Sequence, residues 1–247
     1  MAFRPQLSEM VSFTGHNGDK GEAYFARPAG PGPFGSIVVI HHFPGWDEWT
    51  CEVVRKFAHH GFAAIAPNLY FRLGNGEDEA IVAQARAAGG MPDEQVVGDA
   101  GGAAEYMRSR PQSNGKVGII GFCSGGRHAY LSACRLPDLN ALVDCWGGNV
   151  VVDPSRLTER QPVAPIDLTP GINCPVLGLF GDQDTNPSPE DVNQTEAALR
   201  AAGRNYEFHR YPDAGHAFFA AYRPQYRVGP AMDGWPKVMA FLARHLG

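Results

Sequence analysis

Short apolar runs recurring between helix-like stretches constrain this chain more than any other feature. GSIVVIHHF (35–43), FAAIAPNLY (62–70), GKVGIIGF (115–122), ALVDCWGG (141–148) and PVLGLFG (175–181) are bounded by glycine or proline and rich in β-branched residues. Runs this short without polar alternation read as strands buried on both faces. Between them lie segments such as DEWTCEVVRKFAHHG (47–61) and PEDVNQTEAALRAAG (189–203), in which apolar residues return at helical spacing and a glycine marks the stop. Strand and helix in alternation predict an α/β fold: a mostly parallel sheet with helices on both faces. VSFTGHNGDKGEAYFARP (11–28) carries two alternating runs around Asn17-Gly18, which predicts an N-terminal antiparallel hairpin. The span 77–110 has the alanine and charge content of helices, broken near Gly89, Gly90 and Pro92. A strand YEFHRYP (206–212) and a closing helix through FLARHL complete the order. The 247 residues fit one domain, 1–247, of this class. Residues 150–175 form the one long irregular stretch, read as an excursion over the site rather than a linker.

Charge and cysteine usage narrow the function classes. Lys plus Arg total 21 against 26 Asp plus Glu, a formal charge of −5 without any basic run, which argues against nucleic acid as a partner. The start MAFRPQLSEM lacks the apolar core of a signal peptide and no apolar run is long enough for a bilayer, so a cytoplasmic protein is expected, with no membrane partner. Five cysteines without a CxxC pair suit reduced thiols better than disulfides or zinc. The pairs His41-His42 and His59-His60 chelate poorly, because neighbours on a strand face opposite ways and neighbours on a helix diverge; no metal is expected.

The strand GKVGIIGF runs directly into GFCSGG (121–126) and then into helix-forming sequence. Gly-x-Cys-x-Gly in that context is a nucleophile turn: small residues let a strand bend sharply into a helix and leave the middle side chain exposed at the helix N-terminus. Helix-end amides lower a thiol pKa and donate to a developing oxyanion. Cys123 is therefore the candidate nucleophile. A base and an orienting acid should follow in the order acid, base. LGLFGDQDTNP (177–187) places Asp182 and Asp184 just past a strand; Asp184, deeper in the loop, is preferred, with Asp182 as the alternative. YPDAGHAFF (211–219) places His216 in the loop before the last helix.

These stretches, with GSIVVIHHFPGW, GFAAIAPNLYFR and FLARHL, resemble the dienelactone hydrolase family of α/β-hydrolases and span most of the chain in the family's order. The resemblance implies an α/β-hydrolase fold and a triad of Cys123, Asp184 and His216, with the amides of Phe43 and Ser124 as oxyanion hole. It further implies hydrolysis of a small ester or lactone through an acyl-thioester, without metal or organic cofactor. Two departures bear on substrate. His42 stands where the family carries a glutamate beside the nucleophile, and Ala220 stands four residues after His216, where the family carries a carboxylate-binding arginine. A carboxylated dienelactone is therefore not the expected substrate, with Arg86 the stand-in for a second family arginine. His42 as an imidazolium would favour the thiolate; neutral, it would hydrogen-bond substrate.

Aromatic residues at or beyond strand ends, Trp46, Tyr70, Trp146, Phe218 and Phe219, are expected at the pocket, with His42 and Arg72 as polar substrate contacts and Arg127 as an ambiguous neighbour. Two other functions stay open: the same triad attacking a thioester or activated phosphoester, and a noncatalytic thiol sensor or binding protein, against which the downstream Asp and His argue. The chain is expected to act as a monomer or homodimer.

Overall fold

The computed structural model describes residues 5–43, 45–74 and 79–247. Eight strands form one sheet: β1 (Gln6–Thr14), β2 (Lys20–Pro28), β3 (Phe34–Ile40), β4 (Ala63–Pro67), β5 (Ser113–Phe122), β6 (Ala141–Cys145), β7 (Val176–Gly181) and β8 (Tyr206–Tyr211). Their order is β1-β2-β4-β3-β5-β6-β7-β8. β1 pairs with β2, and β2 with β4, antiparallel; every other pairing is parallel. The expected hairpin turns at Asn17 and Gly18, both with positive φ (55° and 83°), the geometry that an Asn-Gly pair tolerates.

The helices are α1 (Glu48–His59), α2 (Glu79–Ala87), α3 (Asp93–Arg108), α4 (Ser124–Arg135), α5 (Pro189–Ala201) and α6 (Val228–Leu246). The predicted helical span 77–110, whose first two positions lie outside the described residues, holds two helices, α2 and α3, parted at Gly89 and Gly90, whose φ values of 83° and 94° end the first. Alternate side chains of the central strands serve opposite faces. Ile37, Val39, Ile120 and Phe122 pack with Val53 and Phe57 of α1 and Phe241 and Leu242 of α6. Val38, Ile40, Val117 and Ile119 pack with Val96, Ala103 and Met107 of α3 and Ala129 and Tyr130 of α4. Both faces are thus covered, which is why these strands read as continuous apolar runs. No helix among the described residues is long and apolar enough to cross a membrane. The stretch 150–175 holds two short 3₁₀ turns, Pro154–Arg156 and Pro165–Gly171, the second lying on α4.

Parallel pairing brings the C-terminal ends of β3, β5, β6, β7 and β8 to one edge, where the loops carrying Phe43, Cys123, Trp146, Asp184 and His216 begin. The junction of β5 with α4 is the tightest point. A Cβ on Gly121 would lie 1.8 Å from the Gly125 carbonyl oxygen, and one on Gly125 would lie 2.4 Å from that of Ile40. Such overlaps are backbone on backbone and have no side-chain relief. Gly229, in the first turn of α6, meets nothing within 4 Å. Urea unfolding should therefore separate two chemically identical changes: Gly121→Ala should cost about 3 kcal/mol or more, whereas Gly229→Ala should be neutral or stabilising by about 0.5–1 kcal/mol. Equal stabilities for the two variants would contradict this packing.

Candidate active site

Cys123 sits between the last residue of β5 and the first of α4 with φ 57° and ψ −123°, a conformation that a non-glycine residue holds only when its surroundings enforce it. Its amide donates to the Cys145 carbonyl of β6 at 3.1 Å, and its carbonyl accepts from Gly126 at 2.9 Å, so both sides of the corner are tied. The half-buried sulfur accepts hydrogen bonds from the amides of Ser124 and Phe43 and from His216. Burial works against the thiolate, yet the bond and charge of His216, with those two amides, hold the Cys123 pKa below the ordinary cysteine value.

His216 Nδ1 stands 2.7 Å from Asp184 Oδ2. Asp184 is buried at 6% exposure, and its other oxygen accepts from the Asn186 amide at 2.9 Å. Burial alone would lower the His216 pKa; Asp184 and Cys123 override it and carry it up to about 10. A raised imidazole beside a lowered thiol favours proton transfer from sulfur to ring. Asp182, the alternative acid, is turned away and bound to Arg210 Nε at 2.7 Å.

Two clefts meet at the sulfur. A narrow one, about 30 Å³, is walled by Trp49, Phe122, Trp146, Ala217 and Ala220, with His42 and Arg223 as further polar lining beside Cys123 and His216. A wider one, about 470 Å³, runs past Phe43, Arg86, Ser124, Asn149 and Asn186. It adjoins a further lobe bordered by Tyr70, Met91 and Gln161. Gln161 belongs to the irregular stretch 150–175, which thus reaches the rim as expected.

The remaining expected residues divide. His42 lines the narrow cleft, and its Nε2 is bound to Asp47 Oδ2 at 2.6 Å. His42 thus stands beside the thiol already bound to a carboxylate, rather than as a lone imidazole. Burial would raise the Asp47 pKa, but the His42 bond and charge, with Thr50, bring it down to about 2. Trp146 lines the narrow cleft at φ 45° and lies edge-on to Phe219, which is buried behind it and stacked on Trp235. Phe218 is likewise buried against Trp146. Tyr70 is buried and donates to the Phe43 carbonyl at 2.9 Å. Trp46 donates to the Ala66 carbonyl and packs on the α1 side of the core. Arg72 grips Asp99 with both terminal nitrogens (2.8 and 3.0 Å) and Asp19 with Nε (2.7 Å), tying the hairpin to α3. Trp46, Arg72 and Phe219 line neither cleft that holds Cys123. Arg127 is buried in a pair with Asp93 at 2.6 Å.

Asp47, Arg223, Asn149 and Asn186 were not anticipated. Asp47 had a visible signal, since an Asp before Glu-Trp-Thr is a helix N-cap pattern, and its Oδ1 indeed accepts from the Thr50 amide at 3.0 Å. Arg223 had none. Among the described residues no group of three or more His, Cys, Asp or Glu is gathered as a metal site.

A model of the dienelactone hydrolase family matches residues 22–246. A Salmonella typhimurium protein named "Putative carboxymethylenebutenolidase" is 39% identical over 244 residues, covering 98% of this chain and 89% of that one. The crystal structure titled "Putative Dienelactone Hydrolase" from Klebsiella pneumoniae superposes with a TM-score of 0.88 at 33% identity, covering 97% of this chain and 99% of that one. A dienelactone hydrolase-like phosphotriesterase from metagenomic libraries superposes at 0.77 with 20% identity, covering 98% and 99%, a likeness of fold alone.

The electrostatics give a direct expectation for iodoacetamide alkylation of Cys123. The half-point of the rate–pH profile should lie below the ordinary cysteine value and should move upward in His216→Asn, where burial is opposed by the two amides only. Cys134 and Cys174, pushed by burial up to about 12, should stay unmodified in the folded protein. A half-point unmoved by His216→Asn would contradict the ion pair.

Proposed function

This chain belongs to the dienelactone hydrolase family, and we propose that it cleaves small esters or lactones with Cys123 as nucleophile, His216 as base and acid, and Asp184 as the orienting carboxylate. It is a hydrolase of the ester or lactone type. The observation that carries the finer reading is the convergence on one sulfur of His216, itself held by Asp184, and the two amides of Ser124 and Phe43.

In the proposed cycle the thiolate of Cys123 attacks the scissile carbonyl carbon, and the carbonyl electrons move onto oxygen between the amides of Phe43 and Ser124. As that oxyanion collapses, the C–O bond to the leaving group breaks and the imidazolium of His216 protonates the departing oxygen. An acyl-thioester and a neutral imidazole remain. His216 then removes a proton from water as its oxygen attacks the thioester, and collapse releases the acid and restores the thiolate–imidazolium pair. For a lactone the same C–O bond breaks in the first step, but the freed hydroxyl stays joined to the acyl part through the carbon chain, and the second step releases both as one hydroxy acid. Asp184 keeps Nδ1 occupied throughout, so Nε2 is the nitrogen that meets the sulfur, leaving group and water.

Shape and charge support a compact substrate. The narrow aromatic-walled cleft suits a small acyl group, and the wider one suits the leaving group or the far side of a ring. The missing family arginine at Ala220 is offset by Arg223 from the same loop, whose side chain lines the narrow cleft, while Arg86 lines the wide one with its guanidinium over the Phe43 ring. An acidic ester or lactone therefore has a cation on either side of the sulfur, and the expectation against carboxylated substrates weakens.

Pre-steady-state hydrolysis of p-nitrophenyl acetate with mass spectrometry of the quenched enzyme tests the mechanism. Wild type should show a burst and an acyl mass on Cys123; Cys123→Ala should abolish both; His216→Ala should slow turnover about 10³-fold or more. The absence of burst and adduct, with slow turnover unchanged in both variants, would favour a thiol sensor or binding protein. Substrate charge has its own test. Arg86→Met and Arg223→Met should each raise KM about 10-fold for a carboxylated ester and leave neutral p-nitrophenyl acetate little affected. Equal effects on the two substrates would remove the charge-matching role.

A further inference from the structure

The amide of Phe43 that reaches Cys123 is one end of a peptide unit whose other end is the carbonyl of His42. That carbonyl has two donors. The Gly45 amide reaches it at 3.0 Å, and Nδ1 of His41 stands 2.9 Å from it. The second contact of His41 settles its tautomer. The Leu69 amide donates to Nε2 at 3.1 Å, and because a backbone amide can only donate, Nε2 bears the lone pair. Burial lowers the His41 pKa to about 4 against the raising effect of its bond to His42, so the ring is neutral and its single proton is on Nδ1. The ring is 2% exposed, lies edge-on to Tyr70 at 4.9 Å and lines neither cleft that holds Cys123. Tyr70 pins the following peptide through its bond to the Phe43 carbonyl.

These bonds run head to tail: Leu69 N–H to His41 Nε2, His41 Nδ1–H to the His42 carbonyl, and, from the far end of that peptide, Phe43 N–H to the sulfur of Cys123. Aligned donors polarise one another, and a donor on a peptide oxygen withdraws electron density from the N–H at the other end. Two donors on that oxygen also fix the tilt of the peptide plane, which decides where the N–H is aimed.

We propose that His41 is a positioning residue of the oxyanion site, orienting and polarising the His42–Phe43 peptide so that the Phe43 amide stabilises charge at the reacting centre. The proposal rests on the roles assigned above to Cys123, Phe43 and Ser124. It also accounts for two adjacent histidines that form no metal site: His41 turns inward to the backbone, His42 outward to the cleft, as neighbours on extended chain must.

The test compares His41→Leu with His41→Asn. Leucine removes both polar contacts. Asparagine brings its carboxamide nitrogen near the position of Nδ1, keeping a donor for the His42 carbonyl while losing the acceptor for Leu69, so the two variants share the same structural loss at Leu69. Two readouts are taken on the full chain: kcat and KM for p-nitrophenyl acetate, and the pH half-point of Cys123 alkylation by iodoacetamide. His41→Leu should lower kcat about 10-fold or more with KM little changed, and should raise the thiol half-point, since a weaker Phe43 donor holds the thiolate less well. His41→Asn should recover most of both. Equal losses in the two variants with the half-point unmoved would reduce His41 to scaffold and overturn the proposal, as would unchanged kcat in His41→Leu. Should His41→Leu fail to fold, His41→Gln, whose longer carboxamide is placed to serve Leu69 rather than the His42 carbonyl, takes its place with the same expected order. If wild type turns over no ester, yet the half-point rises in His41→Leu and returns in His41→Asn, the relay stands and the functional reading falls.

Discussion

The contact on which the rest depends is backbone against backbone, where the end of β5, the start of α4 and the end of β3 meet without intervening side chains. Gly121 faces the Gly125 carbonyl, and Gly125 faces the carbonyls of Ile40 and His41. That closeness lets the chain turn within one residue and forces Cys123 into positive φ. It also draws the loop after β3 over the helix end, so that amides from two distant segments point at one sulfur. The cost of the strained corner is borne by a sheet buried on both faces, whose apolar side chains each contribute about 1.5–3 kcal/mol when fully covered.

Burial and charge oppose each other at this centre, and the outcome is decided by neighbours. Burial raises the pKa values of Cys134 and Cys174 to about 12, against only minor opposition from Arg135 at the first and a backbone hydrogen bond at the second. At Cys123 the same penalty is overcome by His216 and two amides. His216 in turn escapes the lowering that burial imposes because Asp184 and the thiolate flank it. His41, with only backbone partners and no anion in contact, does not escape and stays neutral. His216 and His41, on one edge of one sheet, thus part ways for a single physical reason: only His216 has a carboxylate within hydrogen-bond reach.

The loop from β3 to α1 joins these effects. Asp47 caps α1 through Thr50 and binds His42, while Tyr222, from the loop after His216, reaches the same carboxylate at 3.3 Å. One acidic side chain therefore fixes a helix start, orients the imidazole that lines the narrow cleft and links two loops that wall it. A glutamate in place of His42 would set an anion beside the sulfur; here an imidazole held by Asp47 stands there instead, and the sulfur is left to His216 and the amides.

Much of this was legible in sequence, because strands, the hairpin and the nucleophile turn are local. Buried runs, Asn17-Gly18 and the glycines around Cys123 state their geometry within a few residues, since periodicity and backbone sterics act over that range. The order of Cys123, Asp184 and His216 along the chain was equally visible. What folding alone decided are the contacts between segments far apart. Asp184 and Asp182 are two residues from each other, and only the twist of the loop after β7 gives one to His216 and the other to Arg210. Arg72 looked like a free cation for substrate, yet Asp99, 27 positions away, takes it. Arg223 shows no motif and reaches the cleft because its loop folds back over it. Local backbone preference is written in neighbouring residues; which charge meets which depends on the three-dimensional path of the chain, and that path is set by burial of the whole sheet.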